Sequence, residues 1–89
     1  MTEPSTDSKE RLSVRIIPLG ETVWEGTARS VSAVNTEGRF DILPRHAGFM
    51  TILLDRPITV LTDSKKEQFS FPRALLYADE GVVTIYTGI

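Results

Sequence analysis

With 89 residues, the chain is long enough for one small domain, which buries roughly 60–65% of the surface that the unfolded chain exposes. Ten basic and twelve acidic residues give a formal net charge of −2, which argues against a nucleic-acid-binding protein, since such proteins carry a basic excess or a basic face. The chain has no cysteine, so disulfide bonds and thiolate metal sites are excluded. No apolar run approaches the roughly 20 residues that a membrane-spanning helix needs, so we expect no direct membrane insertion.

The first part of the chain predicts a tail followed by two strand segments. Met1–Arg11 is polar, and we expect a disordered tail ahead of a domain over residues 12–89. "LSVRI", from Leu12, alternates apolar and polar residues, which is typical of a half-buried strand. "TVWEGTARSVSAV" is rich in β-branched residues and is interrupted by Gly26, where we expect a bulge or a sharp bend.

The middle of the chain predicts a hairpin and then a buried strand. Thr36-Glu37-Gly38 is a tight-turn signal, and "RFDIL" after it is a short strand with Phe40 and Ile42 on one side. Pro44 ends this strand and begins a loop. "FMTILL", from Phe49, is nearly all apolar, which predicts a central strand buried on both faces.

The last third of the chain predicts two more hairpins. Polar turns at residues 63–66 and 79–81 separate short runs of strand character, and "EQFSF" places Phe69 and Phe71 on one face. No window sustains a helical pattern, and strands recur every eight to twelve residues. This spacing predicts an all-β fold, a two-sheet β-sandwich or partly open barrel of about eight to ten short strands, because one sheet could not cover its own apolar face.

The charged loop "TEGRFDILPRHAGF" is the one stretch that resembles an active site. His46 could act as a general base oriented by Asp41, and Glu37 with Asp41 could form the carboxylate pair of a glycosidase. However, no serine lies in a nucleophile elbow, there is no second histidine for a metal, and so small a domain has little room for a sugar cleft. We therefore predict no catalytic, metal or cofactor site, and we interpret the loop as a surface that docks on a partner.

The residues that follow the tail resemble a known family from Leu12 to Thr87. The opening strand fits a loose "L-x-V-x-I-x-P-x-G" pattern, and the closing "GVVTIYT" fits the final strand of the domain. The family often has an apolar pair followed by a short residue and glycine, and this chain has Val23, Trp24, Glu25 and Gly26 at that place. The most specific part is "EGRFDILPRHAGF", which is similar to "E-G-x-x-G-I-L-P-G-H-A-P" at Glu37, Gly38, Ile42, Leu43, Pro44, His46 and Ala47. The family that these features resemble is the N-terminal β-sandwich domain of the epsilon subunit of F-type ATP synthases, called delta in mitochondria.

Several loop positions depart from the family pattern. Asp41 and Arg45 stand where the family usually has glycine, and Gly48 replaces the usual proline. Because glycine adopts positive φ more easily than Asp or Arg, we expect the backbone of these loops to differ in detail. Family members usually continue into a helical hairpin after the sandwich, to which their inhibitory and nucleotide-sensing roles belong, and no residue here matches that hairpin.

The resemblance implies a non-catalytic subunit of the central rotor stalk, which couples the proteolipid ring to the gamma subunit during proton- or sodium-driven ATP synthesis. It implies a peripheral location on the cytoplasmic face of the inner membrane of a bacterium. The turn expected to face the ring consists of Asn35, Thr36, Glu37, Gly38, Arg39 and Phe40. The segment expected to contact gamma consists of Arg45, His46, Ala47, Gly48, Phe49 and Met50.

Two alternatives stay open from the sequence. One is a free-standing β-sandwich binding module unrelated to ATP synthase, and the other is a small hydrolase that uses His46. We expect the isolated chain to be a monomer.

Overall fold

The alternation of apolar and polar side chains along the chain produces strands, because successive side chains of a strand point to opposite faces of its sheet. The computed structural model describes residues 10–18, 24–45 and 48–88, and these ranges contain nine strands. The strands are β1 (Leu12–Pro18), β2 (Trp24–Ala28), β3 (Ser30–Asn35), β4 (Gly38–Ile42), β5 (Phe49–Leu53), β6 (Pro57–Leu61), β7 (Lys66–Ser70), β8 (Ala74–Asp79) and β9 (Val82–Thr87).

The strands form two sheets. The five-stranded sheet has the order β2-β1-β9-β8-β5, and the four-stranded sheet has the order β4-β3-β6-β7. Strands β1 and β9 pair in parallel, and every other pairing among the described strands is antiparallel. The prediction of an all-β, two-sheet sandwich with eight to ten short strands is therefore confirmed.

The core lies between the sheets and consists of the inward-facing residues of both. Among the described residues, the fully buried apolar side chains are Leu12, Val14, Ile16, Ala28, Val31, Ala33, Ile42, Leu53, Ile58, Val60, Ala74, Leu76, Ala78, Val83 and Ile85. Half-buried aromatic rings pack around them: Phe40 contacts Phe49, while Trp24, Phe69 and Phe71 form a second group. The core is aliphatic at its centre and aromatic at its margins.

The three predicted turns are present. The β3–β4 turn places Gly38 at φ 120°, and the β8–β9 turn places Glu80 at φ 48° and Gly81 at φ 80°, so both central residues of that turn are left-handed. A two-residue hairpin with positive φ at both positions matches the twist of its strands. In the β6–β7 turn, the Thr62 hydroxyl donates to the Lys65 carbonyl and fixes the loop.

The prediction that the apolar run from Phe49 is a central strand is wrong. β5 lies at the edge of the five-stranded sheet and pairs with β8 alone among the described strands. Its inward residue Leu53 is buried, while the outward residues Met50 and Ile52 are exposed. The run is apolar because both faces of this edge strand carry apolar residues. The sequence pattern of such a strand is the same as that of a central strand that is buried on both faces.

The bend predicted at Gly26 is also wrong. Gly26 lies inside β2, in register with Val14, and the chain turns at Arg29 between β2 and β3. The indole ring of Trp24 lies over Gly26, so that a Cβ there would come within 3.0 Å of the ring atom Cη2. The glycine makes room for a side chain and does not bend the backbone.

The predicted tail falls mostly on residues 1–9, which lie outside the described residues. Its last two residues are described, and both make ion pairs: Glu10 with Arg45, and Arg11 with Asp63. Disorder of the tail stays a prediction.

Candidate partner-binding surfaces

The turn between β3 and β4 is held by the side chain of Asn35. The Asn35 Oδ1 atom accepts a hydrogen bond of 2.8 Å from the backbone N–H of Glu37, and its Nδ2 atom donates at 3.1 Å to the hydroxyl of Thr51. Thr51 belongs to β5, so this second bond links the two sheets. The turn is thereby fixed to the body of the sandwich, and Thr36 and Glu37 are exposed at its tip.

A polar network continues from the turn along the outer face of β4. The Asp41 carboxylate accepts a hydrogen bond of 2.5 Å from the Ser32 hydroxyl and lies 3.4 Å from the Arg39 guanidinium. The hydrogen bond from Ser32, supported by Arg39, holds the pKa of Asp41 below its ordinary value, although partial desolvation opposes this shift. Asp41 is therefore an ordered anion on an open sheet face.

Asp41 and Arg45 do not need the conformation that glycine favours. Among the described residues, positive φ in non-glycine residues occurs at Asp55 and Glu80. Asp41 and Arg45 therefore stand at their positions without left-handed strain.

The rings of Phe40 and Phe49 pack against each other, although the two residues belong to different predicted surfaces. Their centroids lie 5.2 Å apart in an edge-on arrangement at the margin of the core. Because both side chains are half-buried and turned inward, they support the surfaces from beneath. The outward neighbours, Arg39 beside Phe40 and Met50 beside Phe49, are the side chains that a partner can reach.

The segment predicted to contact gamma is described at Arg45 and from Gly48 onward, while His46 and Ala47 lie outside the described residues. The Arg45 guanidinium forms two hydrogen bonds with the Glu10 carboxylate, at 2.6 and 2.9 Å. Gly48 and Met50 are exposed, Met50 with 60% of its surface accessible. This segment presents a charged part at Arg45 and an apolar part at Met50.

The tip of the turn and Arg45 lie beyond opposite ends of β4, whereas Met50 is next to Thr51, whose hydroxyl is bonded to Asn35 of the turn. The turn precedes Gly38, and the segment at Arg45 follows the strand end at Ile42. The five residues of β4, at about 3.3 Å each, separate the tip of the turn from the Arg45 end by roughly 17 Å, while the two predicted surfaces adjoin where Phe40 contacts Phe49. The strand itself is hydrogen-bonded to β3 along its whole length, so the separation is rigid.

Sequence reasoning missed a third surface, the apolar outer face of the five-stranded sheet. Met50, Ile52, Leu54, Tyr77 and Tyr86 are all more than 40% exposed there. The signal in the sequence is the nearly all-apolar run from Phe49, whose apolar character fits an exposed outer face as well as burial on both faces.

Within the described ranges, no three His, Cys, Asp or Glu side chains lie close enough together to hold a metal ion. Those ranges also contain no helix with the length and apolar character that a membrane crossing requires.

Comparison with known proteins gives a family and a set of similar folds. The family model for the "ATP synthase, Delta/Epsilon chain, beta-sandwich domain" matches residues 11–88. No curated protein sequence matches the chain.

Two solved structures illustrate the structural likeness. A chain of the Euglena gracilis mitochondrial ATP synthase, solved as OSCP/F1/c-ring, aligns over 89% of the present chain with a TM-score of 0.81 and 18% identity. A chain of the Tetrahymena thermophila mitochondrial ATP synthase, solved as central stalk/c-ring, aligns over 89% with a TM-score of 0.72 and 10% identity. The present chain spans 51% and 64% of the lengths of those two chains. At these identities the likeness shows the fold.

Proposed function

The chain belongs to the family of the β-sandwich domain of ATP synthase delta/epsilon chains, and we propose that it is a non-catalytic subunit of the central stalk of an F-type ATP synthase. In this role it couples the proteolipid ring to the gamma subunit while protons or sodium ions drive ATP synthesis. We place it at the periphery of the membrane that carries the complex, on the cytoplasmic face of a bacterial inner membrane.

The observation that carries this proposal is that one stiff sandwich presents two chemically distinct surfaces. The turn at Thr36 and Glu37 is polar and suits the polar loops of a membrane ring, whereas the segment from Arg45 to Met50 combines charge with an apolar side chain. The Asn35–Thr51 hydrogen bond joins the turn to the opposite sheet, so a force on the turn passes into both sheets. Coupling requires a rigid body that binds both partners.

The charged groups of the loop support binding more than catalysis. The Asp41 carboxylate is engaged by Ser32 and Arg39 on an open sheet face, where solvent reaches it freely. A general base or its orienting carboxylate acts in a site that positions a substrate, whereas the outer face of β4 is an open surface that does not enclose one. Phe49 faces the core, so Met50 is the better probe of the gamma segment.

The proposal is tested by binding to purified gamma subunit and to detergent-solubilised proteolipid ring from the same organism, measured by calorimetry. We expect the chain to bind both. The charge-reversal variant Glu37→Arg/Arg39→Glu should weaken ring binding and leave gamma binding unchanged. Lys66→Glu, a charge reversal on the exposed edge strand β7, is the matched control and should alter neither.

His46→Gln separates docking from catalysis, because glutamine keeps hydrogen bonding and loses the titration of the imidazole. We expect this variant to keep gamma affinity within a few-fold of that of the parent. A parent chain that binds neither gamma nor the ring would contradict the proposed function.

A further inference from the structure

A chain of charge-assisted hydrogen bonds joins the two residues ahead of β1 to two loops. The Arg11 guanidinium donates from Nε to the Asp63 carboxylate at 2.8 Å, and its Nη2 atom lies 2.7 Å from the same oxygen. Its Nη1 atom donates to the backbone carbonyl of Glu10 at 2.7 Å. The Glu10 carboxylate in turn accepts two hydrogen bonds from the Arg45 guanidinium. We call these four residues the N-terminal clasp.

The β6–β7 turn gives the clasp a fixed end at Asp63. The Thr62 N–H donates to the Lys65 carbonyl at 2.8 Å, and the Thr62 hydroxyl accepts hydrogen bonds from the backbone N–H groups of Ser64 and Lys65. These bonds order the turn independently of the clasp. Arg11 is therefore attached to an ordered part of the four-stranded sheet.

The other end of the clasp is Arg45, in the loop that crosses from β4 to β5. This loop spans residues 43–48, of which 43–45 and 48 are described. The sheets hold its two ends, since Ile42 pairs with Val31 and Phe49 pairs with Ala78. The clasp adds an anchor between these two ends.

The geometry of the clasp distinguishes it from an ordinary surface ion pair. Exposed ion pairs contribute little unless the contact is bidentate or several charges form a network, and the clasp meets both conditions. The side chains of Arg11 and Glu10 are 24% and 30% exposed, against 69% for Arg45 and 64% for Asp63. The middle of the clasp is therefore better shielded from solvent than its two ends.

A cleft beside the clasp indicates what Arg45 would do without the Glu10 carboxylate. Arg45 and Glu10 line this cleft together with Asp79 and Glu80 of the β8–β9 turn. If Glu10 is neutral, Asp79 and Glu80 are the acidic side chains that remain in the lining. We expect Arg45 to be drawn toward them and the loop to shift toward the β8–β9 turn.

We propose that the N-terminal clasp positions the gamma-binding segment, and that Arg45 acts by pairing with Glu10 and not by pairing with an acidic group of gamma. This inference rests on the proposed function and gives a role to Glu10 and Arg11, which lie outside both proposed partner surfaces. The segment begins at Arg45, so the clasp fixes where it starts. A segment that is ordered before binding loses less conformational freedom in the complex, which raises affinity.

The first experiment tests the clasp in the free chain by NMR of the arginine side chains. The Nε atoms of Arg11 and Arg45 both donate to carboxylates, whereas Arg39 contacts Asp41 through Nη2. We expect the Nε–H protons of Arg11 and Arg45 to exchange with water more slowly than that of Arg39. The Arg45 proton should lose this protection in Glu10→Gln. If it exchanges as fast as that of Arg39 in the parent chain, the inference is overturned.

The second experiment compares gamma binding of matched variants by calorimetry. Glu10→Gln keeps the size of the side chain and removes its charge, and we expect affinity to fall by about threefold to fivefold, the effect of losing one favourable exposed ion pair. Glu67→Gln is the control, because it makes the same change in the Lys65–Glu67 pair of β7. It should bind gamma as the parent does. Circular dichroism and thermal unfolding confirm that both variants are folded.

A charge swap separates positioning from direct contact with gamma. Glu10→Arg/Arg45→Glu reverses the pair and keeps its bidentate geometry, so we expect its gamma affinity to return to within about twofold of that of the parent. If Glu10 or Arg45 itself contacted gamma, the swap would place the wrong charge against the partner and affinity would stay low.

The outcomes separate this inference from the proposed function. If the parent binds gamma and Glu10→Gln binds equally well or more tightly, the inference is overturned and the proposed function stands. Tighter binding would mean that Glu10 competes with gamma for Arg45. A swap variant that stays weak also overturns the inference. If the parent does not bind gamma at all, the proposed function fails and the inference fails with it.

Discussion

At the residue scale, Asp41 shows how an exposed carboxylate is ordered by its neighbours. The Ser32 hydroxyl donates to it and the Arg39 guanidinium lies beside it, both on the outer face of the four-stranded sheet. These contacts favour the charged form of Asp41 and lower its pKa. The network links β3 to β4 through side chains, in addition to the backbone pairing of the two strands.

Ser32→Ala should raise the pKa of Asp41 toward its ordinary value, because the largest cause of the lowered pKa is the hydrogen bond from Ser32. A lowered pKa in the folded state stabilises the fold above the pKa of the unfolded carboxyl, and this stabilisation is lost as the pH falls through the folded pKa. The stability difference between parent and variant should therefore be largest near neutral pH and shrink in acid. NMR titration of the Asp41 carboxyl carbon measures the shift directly.

Thr59→Ala is the control for this prediction, since it removes a hydroxyl from the same sheet face that bonds to Gln68 and not to Asp41. It should leave the Asp41 titration unchanged. An unchanged pKa in Ser32→Ala would show that Arg39 alone sets the ionisation of Asp41.

At the element scale, β2 depends on the fit between Gly26 and Trp24. A Cβ at position 26 would lie 3.0 Å from Cη2 and 3.2 Å from Cζ2 of the indole ring, closer than side chains normally approach. Trp24 in turn packs against Phe69 of the other sheet, with ring centroids 5.9 Å apart. The glycine thus allows a tryptophan of an edge strand to close one margin of the core.

Gly26→Ala should displace the Trp24 ring and lower the free energy of unfolding by about 1 kcal/mol, because the crowding outweighs the gain from a stiffer unfolded chain. Trp24 is the only tryptophan, so its fluorescence reports the displacement. Urea unfolding followed by this emission measures both effects.

Gly48→Ala is the matched control, because a Cβ there meets the Asp79 carboxylate at an ordinary 3.4 Å. Its stability and emission should stay close to those of the parent. If Gly26→Ala proves as stable as Gly48→Ala, the ring moves aside without loss and the explanation for Gly26 is wrong.

At the scale of the whole molecule, the Asn35–Thr51 hydrogen bond joins the two sheets beside the β3–β4 turn. The Phe40–Phe49 contact joins strands β4 and β5 of the two sheets further along. Asn35 and Phe40 belong to the turn proposed to face the ring, and Phe49 belongs to the segment proposed to contact gamma, so the links join the two proposed surfaces directly. They make the sandwich act as one body under load.

Thr51→Val should weaken the connection between the sheets. Valine keeps the shape and strand preference of threonine but leaves the half-buried Asn35 amide without this acceptor, which costs about 1 kcal/mol or more. Hydrogen exchange should become faster at the amides of the β3–β4 turn, and mass spectrometry measures that rate.

Thr27→Val provides the comparison, because Thr27 is exposed on the outer face of β2. Its turn amides should exchange at the parental rate. If the exchange rate of the turn amides is unchanged in Thr51→Val, the backbone hydrogen bonds between the strands are sufficient to hold the turn.

Much of the fold could be predicted from local pattern. The alternation from Leu12, the turn at Thr36-Glu37-Gly38 and the hairpin signal at residues 79–81 identify strands and turns, since side-chain period and turn chemistry are properties of a few consecutive residues. The motif around Glu37 to Ala47 indicates the family for the same reason, because it is a run of residues in a fixed order.

The tertiary structure decided what depends on distant segments. The parallel pairing of β1 with β9, the bend at Arg29 and the edge position of β5 follow from how segments far apart in sequence meet. An apolar run indicates that its side chains favour burial. Whether another strand of the same chain covers them, or they stay exposed to a partner, depends on the neighbours that the fold places there. For this reason the pattern of the run from Phe49 predicts burial on both faces, while the structure leaves its outward side chains Met50 and Ile52 exposed.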